Sequence, residues 1–227
     1  MKKILVFAAH PDDELLGCGA TLLKFRTKGF KIKPFFFGDG ESSRTVSKKL
    51  VFKSINKREK QALDVCKKGR FEKPVFQRLP DNKLDTVPLL DIVKFIEKQI
   101  RLHKPEIIFT HFENDLNIDH QIIYKAVLTA SRPLSKTFVK KIYSFEIPSS
   151  TDFSLSRNSK KIFNPNFFVE VEKTIQKKLD LLKLYKDEIK KWPHPRSLKS
   201  IKNLSMHRGS QIGKKYAEAF ILVRELN

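Results

Sequence analysis

Short apolar segments alternate with longer segments of helical periodicity from residue 3 to residue 145, and this alternation limits the fold more than any other feature. The apolar segments are short enough to be strands; they cover residues 3–9, 31–37, 74–77, 106–110 and 141–145. The helical segments between them end near Gly29 and then cover 45–68, 87–103 and 119–130. Such alternation predicts a three-layer α/β/α fold with a mainly parallel, Rossmann-like sheet.

The pattern changes after Pro148. Residues 149–160 are polar and predict a surface loop, and residues 171–189 carry the apolar stripe of an amphipathic helix. The segment WPHPRS, residues 192–197, should stop that helix, because a proline disfavours helix at the residue before it. Residues 216–222 predict a short helix end or a final strand. No linker divides the chain, so we expect one domain over residues 1–227, with 149–227 as its C-terminal elaboration.

The formal net charge of +21 suggests an anionic partner. The lysines, however, are spread in pairs through every segment, which is typical of a solvated surface without a single partner. Nucleic-acid binding is an alternative, but the sequence contains no RRM, KH or zinc-finger pattern. We therefore expect no stable nucleic-acid partner.

The composition indicates a cytoplasmic protein. The two cysteines, Cys18 and Cys66, lie in predicted helices as small buried hydrophobes, and no disulfide framework is indicated. The apolar stretch near the N-terminus is too short for a signal peptide. No segment approaches the roughly 18 apolar residues that a membrane-spanning helix needs.

Polar side chains follow the first and fourth predicted strands. In open α/β sheets, ligands bind beyond the carboxyl ends of the strands, where the strand order reverses. If the order is 3-2-1-4-5, the first and fourth strands flank that position. Seven titratable side chains would then converge there: His10, Asp12, Asp13, His111, Asp115, Asp119 and His120.

Helix capping is the alternative explanation for some of these residues. Asp12 and Glu14 suit the first turn of a helix, and Asp119 suits an N-cap. Capping does not explain His10, and it would require a coincidence at two separate strands. The joint pattern therefore favours a functional site.

The residue types in this pattern favour a metal ion. Two imidazoles and one carboxylate suit Zn²⁺ and leave a fourth position for water. His10 and Asp13 can face one ion across a turn, and His120 would supply the third ligand to a single zinc ion per chain. Zinc lowers the pKa of bound water to about 7. Asp12 is then placed to take the proton of that water as general base.

The segment AHPDDE, residues 9–14, and the segment DLNIDH, residues 115–120, resemble the LmbE-like/PIG-L family of zinc-dependent N-deacetylases. The loop GDGESSR, residues 38–44, and the late YAEAF, residues 216–220, extend the resemblance over most of the chain. It implies an open parallel sheet, zinc at His10, Asp13 and His120, and Asp12 as the base. It also implies hydrolysis of an amide C–N bond, with an acetyl group removed from an amino sugar or related conjugate.

One position departs from the family pattern. Some relatives have a histidine that assists the tetrahedral intermediate where this chain has Asn117. An asparagine can donate a hydrogen bond to an oxyanion but cannot shuttle a proton at neutral pH. The general acid is therefore left open between Asp12, His111 and His194.

Four residues are candidates for substrate contact: Arg44, Asp81, Asp85 and Arg196. A turn and a helix cap are the alternative roles for the segments that carry the first three. We expect a small N-acetylated sugar as substrate, in glycan or lipopolysaccharide biosynthesis. The basic charge favours a phosphorylated or lipid-linked form and contact with the periphery of a membrane. A metal-dependent phosphoesterase is a rival function, but it usually needs a second metal ion. The oligomeric state stays open.

Overall fold

The computed structural model describes residues 2–43, 47–133, 139–155 and 162–226. The strands in these residues are β1 (Lys3–Ala8), β2 (Lys31–Gly38), β3 (Val75–Leu79), β4 (Ile107–His111), β5 (Lys141–Phe145), β6 (Phe167–Glu170) and β7 (Ala217–Glu225). The α-helices are α1 (Asp13–Thr27), α2 (Lys48–Gly69), α3 (Leu89–His103), α4 (Ile118–Ala130), α5 (Ile175–Leu182) and α6 (Leu198–Ser210). A short 3₁₀ turn covers Leu84–Thr86.

All seven strands form one sheet in the order β3-β2-β1-β4-β5-β7-β6. The first five strands in that order are parallel to one another, while β7 runs antiparallel to both β5 and β6. The predicted α/β fold is thus confirmed, and the order of β1 to β5 is the order 3-2-1-4-5 that the convergence of the polar side chains requires. The order reverses between β1 and β4, which places their carboxyl ends side by side.

The central strand β1 shows why helices cover both faces of the sheet. Because successive side chains of a strand point to opposite faces, Ile4 and Val6 pack in the apolar layer under α1, α2 and α5. Leu5 and Phe7 pack in the opposite layer, under α3 and α4. A strand that is apolar on both faces is typical of a parallel sheet between two helical layers.

The C-terminal region differs from its prediction. Of the helix expected over 171–189 only α5 is present, and neither β6 nor α6 was predicted from the sequence. The chain leaves helical geometry after Leu182 because the turns that follow carry Tyr185 and Glu188 into contacts with Glu14 and Arg58. The segment after α6 is the strand β7, which is the second of the two alternatives predicted for residues 216–222.

None of the helices in the described ranges is both long and apolar enough to cross a membrane.

Candidate functional site

The candidate site lies at the carboxyl ends of β1 and β4. The parallel pairing of these strands brings the turn that follows β1 to the edge of the sheet where α4 begins. That turn carries His10, Asp12 and Asp13, and the first turn of α4 carries Asp119 and His120. All five side chains are buried. The convergence expected from the sequence is therefore present in the structure.

Asp13 lies at the centre of the cluster. Its Oδ2 accepts a hydrogen bond from the backbone N–H of His10 at 2.8 Å. The same oxygen is 3.4 Å from Nε2 of His120 and 3.5 Å from Nδ1 of His10. One ligand atom from each of these three residues lies within 4.8 Å of the others. The three predicted metal ligands thus form a compact group.

Acidic side chains orient both imidazoles from behind. Nε2 of His10 is 3.0 Å from Oδ2 of Asp119 and 3.0 Å from Oδ1 of Asp81. These carboxylates favour the proton on Nε2, which would leave Nδ1, the nitrogen on the side of Asp13, available as a metal ligand. Nδ1 of His120 is likewise 3.1 Å from Oδ1 of Asp115. Carboxylates placed behind histidines are typical of metal sites.

Two of the three supporting carboxylates are themselves fixed by neighbouring loops. Asp119 accepts hydrogen bonds from the backbone N–H groups of Asn82 at 2.8 Å and Leu84 at 3.0 Å, both in the loop after β3. Asp115 accepts the hydroxyl groups of Ser150 and Thr151, the latter at 2.6 Å, from the loop after β5. Four strand ends therefore contribute to one site.

The donor set fits a divalent cation. Oδ1 of Asp13 and Nε2 of His120 are buried, and neither makes a well-formed hydrogen bond to any residue in the described ranges. Burial lowers the pKa of His120, but the charges of Asp13 and Asp115 outweigh burial and raise it to about 9. The surroundings thus favour positive charge at this imidazole, which a cation held by the same atoms would supply. His10, Asp13 and His120 could hold such an ion.

Asp12, which precedes Asp13, has an unusual backbone conformation. Its φ of 127° is a conformation that side-chain-bearing residues rarely adopt. Its Oδ2 is 3.1 Å from the Arg196 guanidinium and 3.7 Å from that of Arg58. Burial raises the pKa of Asp12 to about 6, against the opposing effect of the Arg196 charge. Tertiary contacts therefore hold this carboxyl group in a fixed position.

Two members of the network around Asp12 were missed by the sequence analysis. Arg58 on α2 donates to the backbone oxygen of Pro11 at 3.0 Å and pairs with Glu188. Glu188 in turn accepts from Arg196 at 3.0 Å. No motif marks Arg58 or Glu188, because one is an ordinary helical arginine and the other lies in a lysine-rich segment. Arg196, predicted as a substrate contact, lies against Asp12.

Two of the predicted catalytic side chains are already engaged within the protein. His111 is fully buried, and its Nε2 accepts the backbone N–H of Ala9 at 2.8 Å. Its ring stacks on the ring of His120, with 3.9 Å between the two ring centres. Burial holds the pKa of His111 well below its usual range. Asn117 caps α4, accepting from the N–H of Asp119 and donating to Oδ1 of Asn82 at 2.9 Å.

The remaining predicted site residues lie in different surroundings. His194 is exposed, and its Nδ1 accepts the backbone N–H of Arg196 at 3.0 Å. Asp81 is buried against His10, whereas Asp85 is exposed in the 3₁₀ turn. Arg44 lies outside the described residues.

The last residue of β2, Gly38, makes room for His10. A Cβ atom at this position would lie 2.9 Å from Cδ2 of the His10 ring. We expect Gly38→Ala to displace the imidazole. If His10, Asp13 and His120 bind zinc as predicted from the sequence, the affinity should fall about ten-fold or more, the effect typical of disturbing the groups that orient a metal-binding histidine. Titration with a competing chelator would measure the change.

Gly69→Ala is the matched control. Gly69 ends α2, away from the cluster, and its added Cβ would lie 3.1 Å from the Phe71 ring. This variant should lose some stability and keep its zinc affinity. Equal zinc affinity in Gly38→Ala and the wild type would contradict the close packing of His10 against β2.

The fold and the site together define an α/β protein with a buried His–Asp–His cluster at the reversal point of its sheet. The family model described as PIG-L, GlcNAc-PI de-N-acetylase, matches residues 5–131, which is more than half of the sequence. The chain belongs to this family of deacetylases. The resemblance inferred from AHPDDE and DLNIDH is thereby confirmed.

Known relatives agree with this assignment. The chain is 28% identical over 154 residues to the uncharacterized deacetylase YaiS of Escherichia coli, covering 66% of this chain and 76% of YaiS. N,N'-diacetylchitobiose deacetylase of Pyrococcus horikoshii superposes with a TM-score of 0.77 at 19% identity, covering 98% of this chain and 84% of its own.

The same fold also carries other chemistry. GalB, the 4-carboxy-2-hydroxymuconate hydratase of Pseudomonas putida, superposes with a TM-score of 0.76 at 17% identity, covering 100% of this chain and 98% of its own. Structural likeness at this identity therefore shows the fold and leaves the reaction to the site.

Proposed function

We propose that this chain is a zinc-dependent hydrolase that removes an N-acetyl group from an amino sugar or sugar conjugate. The observation that carries the proposal is the compact group formed by His10, Asp13 and His120. The buried carboxyl group of Asp12 adjoins Asp13 in the sequence and is held by Arg196. When bound by these residues, zinc would supply Lewis-acid polarisation of an acyl oxygen and acidify water. The remaining steps depend on side chains of the chain itself.

Asp12 is the proposed proton acceptor. Its carboxyl group is buried, adjoins a proposed ligand in the sequence, and is positioned by Arg196 and Arg58. In this role it takes a proton from the attacking water as the new C–O bond forms at the acyl carbon. The two guanidinium groups restrict the rotation of the carboxyl group, which keeps its proton-accepting oxygen in place.

Asp12 is also the proposed proton donor to the leaving nitrogen. Asn117 cannot donate a proton and already caps α4. His111 is neutral, buried and hydrogen-bonded to Ala9. His194 lies exposed on its loop. The proton taken from water therefore passes from Asp12 to nitrogen as the C–N bond breaks, and the products are a free amine and acetate.

An acetylated sugar is the substrate class that the relatives support. The chain belongs to a family described by de-N-acetylation of GlcNAc-PI, and the Pyrococcus horikoshii protein is named for an acetylated chitobiose. The net charge of +21 favours a phosphorylated or lipid-linked sugar, as expected in glycan or lipopolysaccharide biosynthesis.

Acetate release tests the proposal directly. The zinc-loaded protein should release acetate and an equal amount of free amine from at least one member of a panel of N-acetylated sugars, nucleotide sugars and glycolipids. Asp81→Asn, which alters a carboxylate behind His10, should lower the rate and leave the product unchanged.

The phosphoesterase alternative predicts a different result. In that case no panel member would yield acetate, a phosphate monoester would be hydrolysed, and metal analysis would find two ions per chain. That combination would overturn the deacetylase proposal.

A further inference from the structure

We propose that the rim of the candidate site docks on an anionic lipid bilayer. This interaction goes beyond the proposed deacetylation, because it concerns where the protein works rather than which bond it breaks. We define the site rim as the loops 112–117, 149–155 and 190–197. Each loop carries large apolar side chains that face solvent: Leu116 is 60% exposed, Phe153 52%, Leu155 91% and Trp192 54%.

Hydrogen bonds join the three loops around the site. Ser154 Oγ donates to the backbone oxygen of Asn114, which links the second loop to the first. Arg196 donates through Nε to Ser149 Oγ at 2.8 Å, which links the third loop to the second. The same guanidinium contacts Asp12. The exposed apolar side chains therefore belong to one connected edge, the edge at which the site lies.

Basic residues surround the tryptophan of the rim. Lys190, Lys191 and Lys199 are exposed, and Nζ of Lys199 lies 4.6 Å from the centre of the Trp192 ring. The nearby acidic side chain of Glu188 is buried in the network beneath, and Asp187 pairs with Lys57 at 2.7 Å. The outer surface of this loop is thus basic and aromatic.

This combination fits a membrane surface. Tryptophan favours the headgroup region of a bilayer, and lysines near the surface are attracted to anionic lipids. Separate apolar side chains on neighbouring loops can each enter the lipid without needing a partner of complementary shape. Nucleic-acid contacts, in contrast, are made mainly by basic and polar groups, which leaves Leu155 and Phe153 without a role.

The chain contains a single tryptophan, so its fluorescence reports on the rim alone. On mixing with vesicles of phosphatidylcholine and phosphatidylglycerol, the emission of Trp192 should shift to shorter wavelength. Vesicles of phosphatidylcholine alone should give little shift. In about 1 M salt, where the Debye length is about 3 Å, binding should weaken strongly. No substrate is present, so the result is independent of deacetylase activity.

Charge reversal at two positions identifies the surface. Lys190→Glu with Lys191→Glu should weaken vesicle binding about ten-fold or more, because each lysine near the surface contributes to binding. Lys67→Glu with Lys68→Glu changes the net charge equally, but these residues lie in the last turn of α2, at the opposite edge of the sheet. That control should bind vesicles nearly as the wild type does.

Leu155→Ser with Phe153→Ser tests the apolar contribution, and co-sedimentation with the same vesicles should fall several-fold. The proposal is overturned if the protein binds no anionic vesicles, or if the two charge reversals weaken binding equally, which would indicate a diffuse basic surface. Binding to single-stranded or duplex nucleic acid at physiological salt, with no vesicle binding, would overturn it in favour of a nucleic-acid partner.

Discussion

Asp12→Asn should abolish deacetylation while the protein keeps its zinc. The amide is nearly isosteric with the carboxyl group and can still meet Arg196, but it cannot accept or deliver a proton at neutral pH. Loss of a general acid–base group lowers turnover by about 10²- to 10⁴-fold, and the loss here should reach the upper end, since one residue serves both proton transfers. Acetate release measures turnover, and metal analysis measures zinc.

His194→Ala tests the alternative general acid. The His194 side chain is exposed and accepts a hydrogen bond from the backbone of its own loop, so its removal should leave kcat close to that of the wild type. A loss as large as that of Asp12→Asn would transfer the acid role to His194. Normal turnover in Asp12→Asn would remove Asp12 from the mechanism altogether.

His120→Ala should lose the metal, which is the second large effect that we expect. The substitution removes one of three ligand atoms and also leaves the buried carboxylates of Asp13 and Asp115 without their shared partner. Two remaining ligands make a poor zinc site. The purified variant should therefore retain far less than one zinc ion per chain after dialysis, and acetate release should fall with it.

Asp115→Asn tests the orientation of His120 separately from its role as a metal ligand. Asp115 supports His120 from behind, and loss of such a carboxylate typically costs about 10- to 100-fold in metal affinity. Excess zinc should restore activity to Asp115→Asn but not to His120→Ala. Near-normal zinc content in a folded His120→Ala protein, with circular dichroism like the wild type, would exclude His120 as a ligand.

Much of this arrangement could be predicted from two signals. The periodicity of apolar residues can be seen in short segments of the sequence, and the alternation of strands and helices indicates a parallel sheet. The apolar segments around Ile4 and Ile107 marked β1 and β4, and parallel strands must end at the same edge. Residues that follow both strands meet because β1 and β4 are neighbours in the sheet, an order that the sequence allowed and the structure supplied. The prediction failed where the apolar residues gave no clear periodicity. The strand β6 is only four residues long. The helix α5 ends at Leu182, before the turns in which Tyr185 and Glu188 contact Glu14 and Arg58.

The sequence by itself indicated the α/β layers and, given the order 3-2-1-4-5, the meeting of His10 and Asp13 with His120, because the carboxyl ends of neighbouring parallel strands lie side by side. The structure supplied that order, since alternating apolar segments are compatible with more than one arrangement of a parallel sheet. Only the tertiary structure decided the surroundings of Asp12. Arg196 reaches it from 184 residues away, and Arg58 joins them through Glu188. Such contacts cannot be predicted from the spacing of residues in the sequence, because a side chain's partner depends on which surfaces the completed fold brings together.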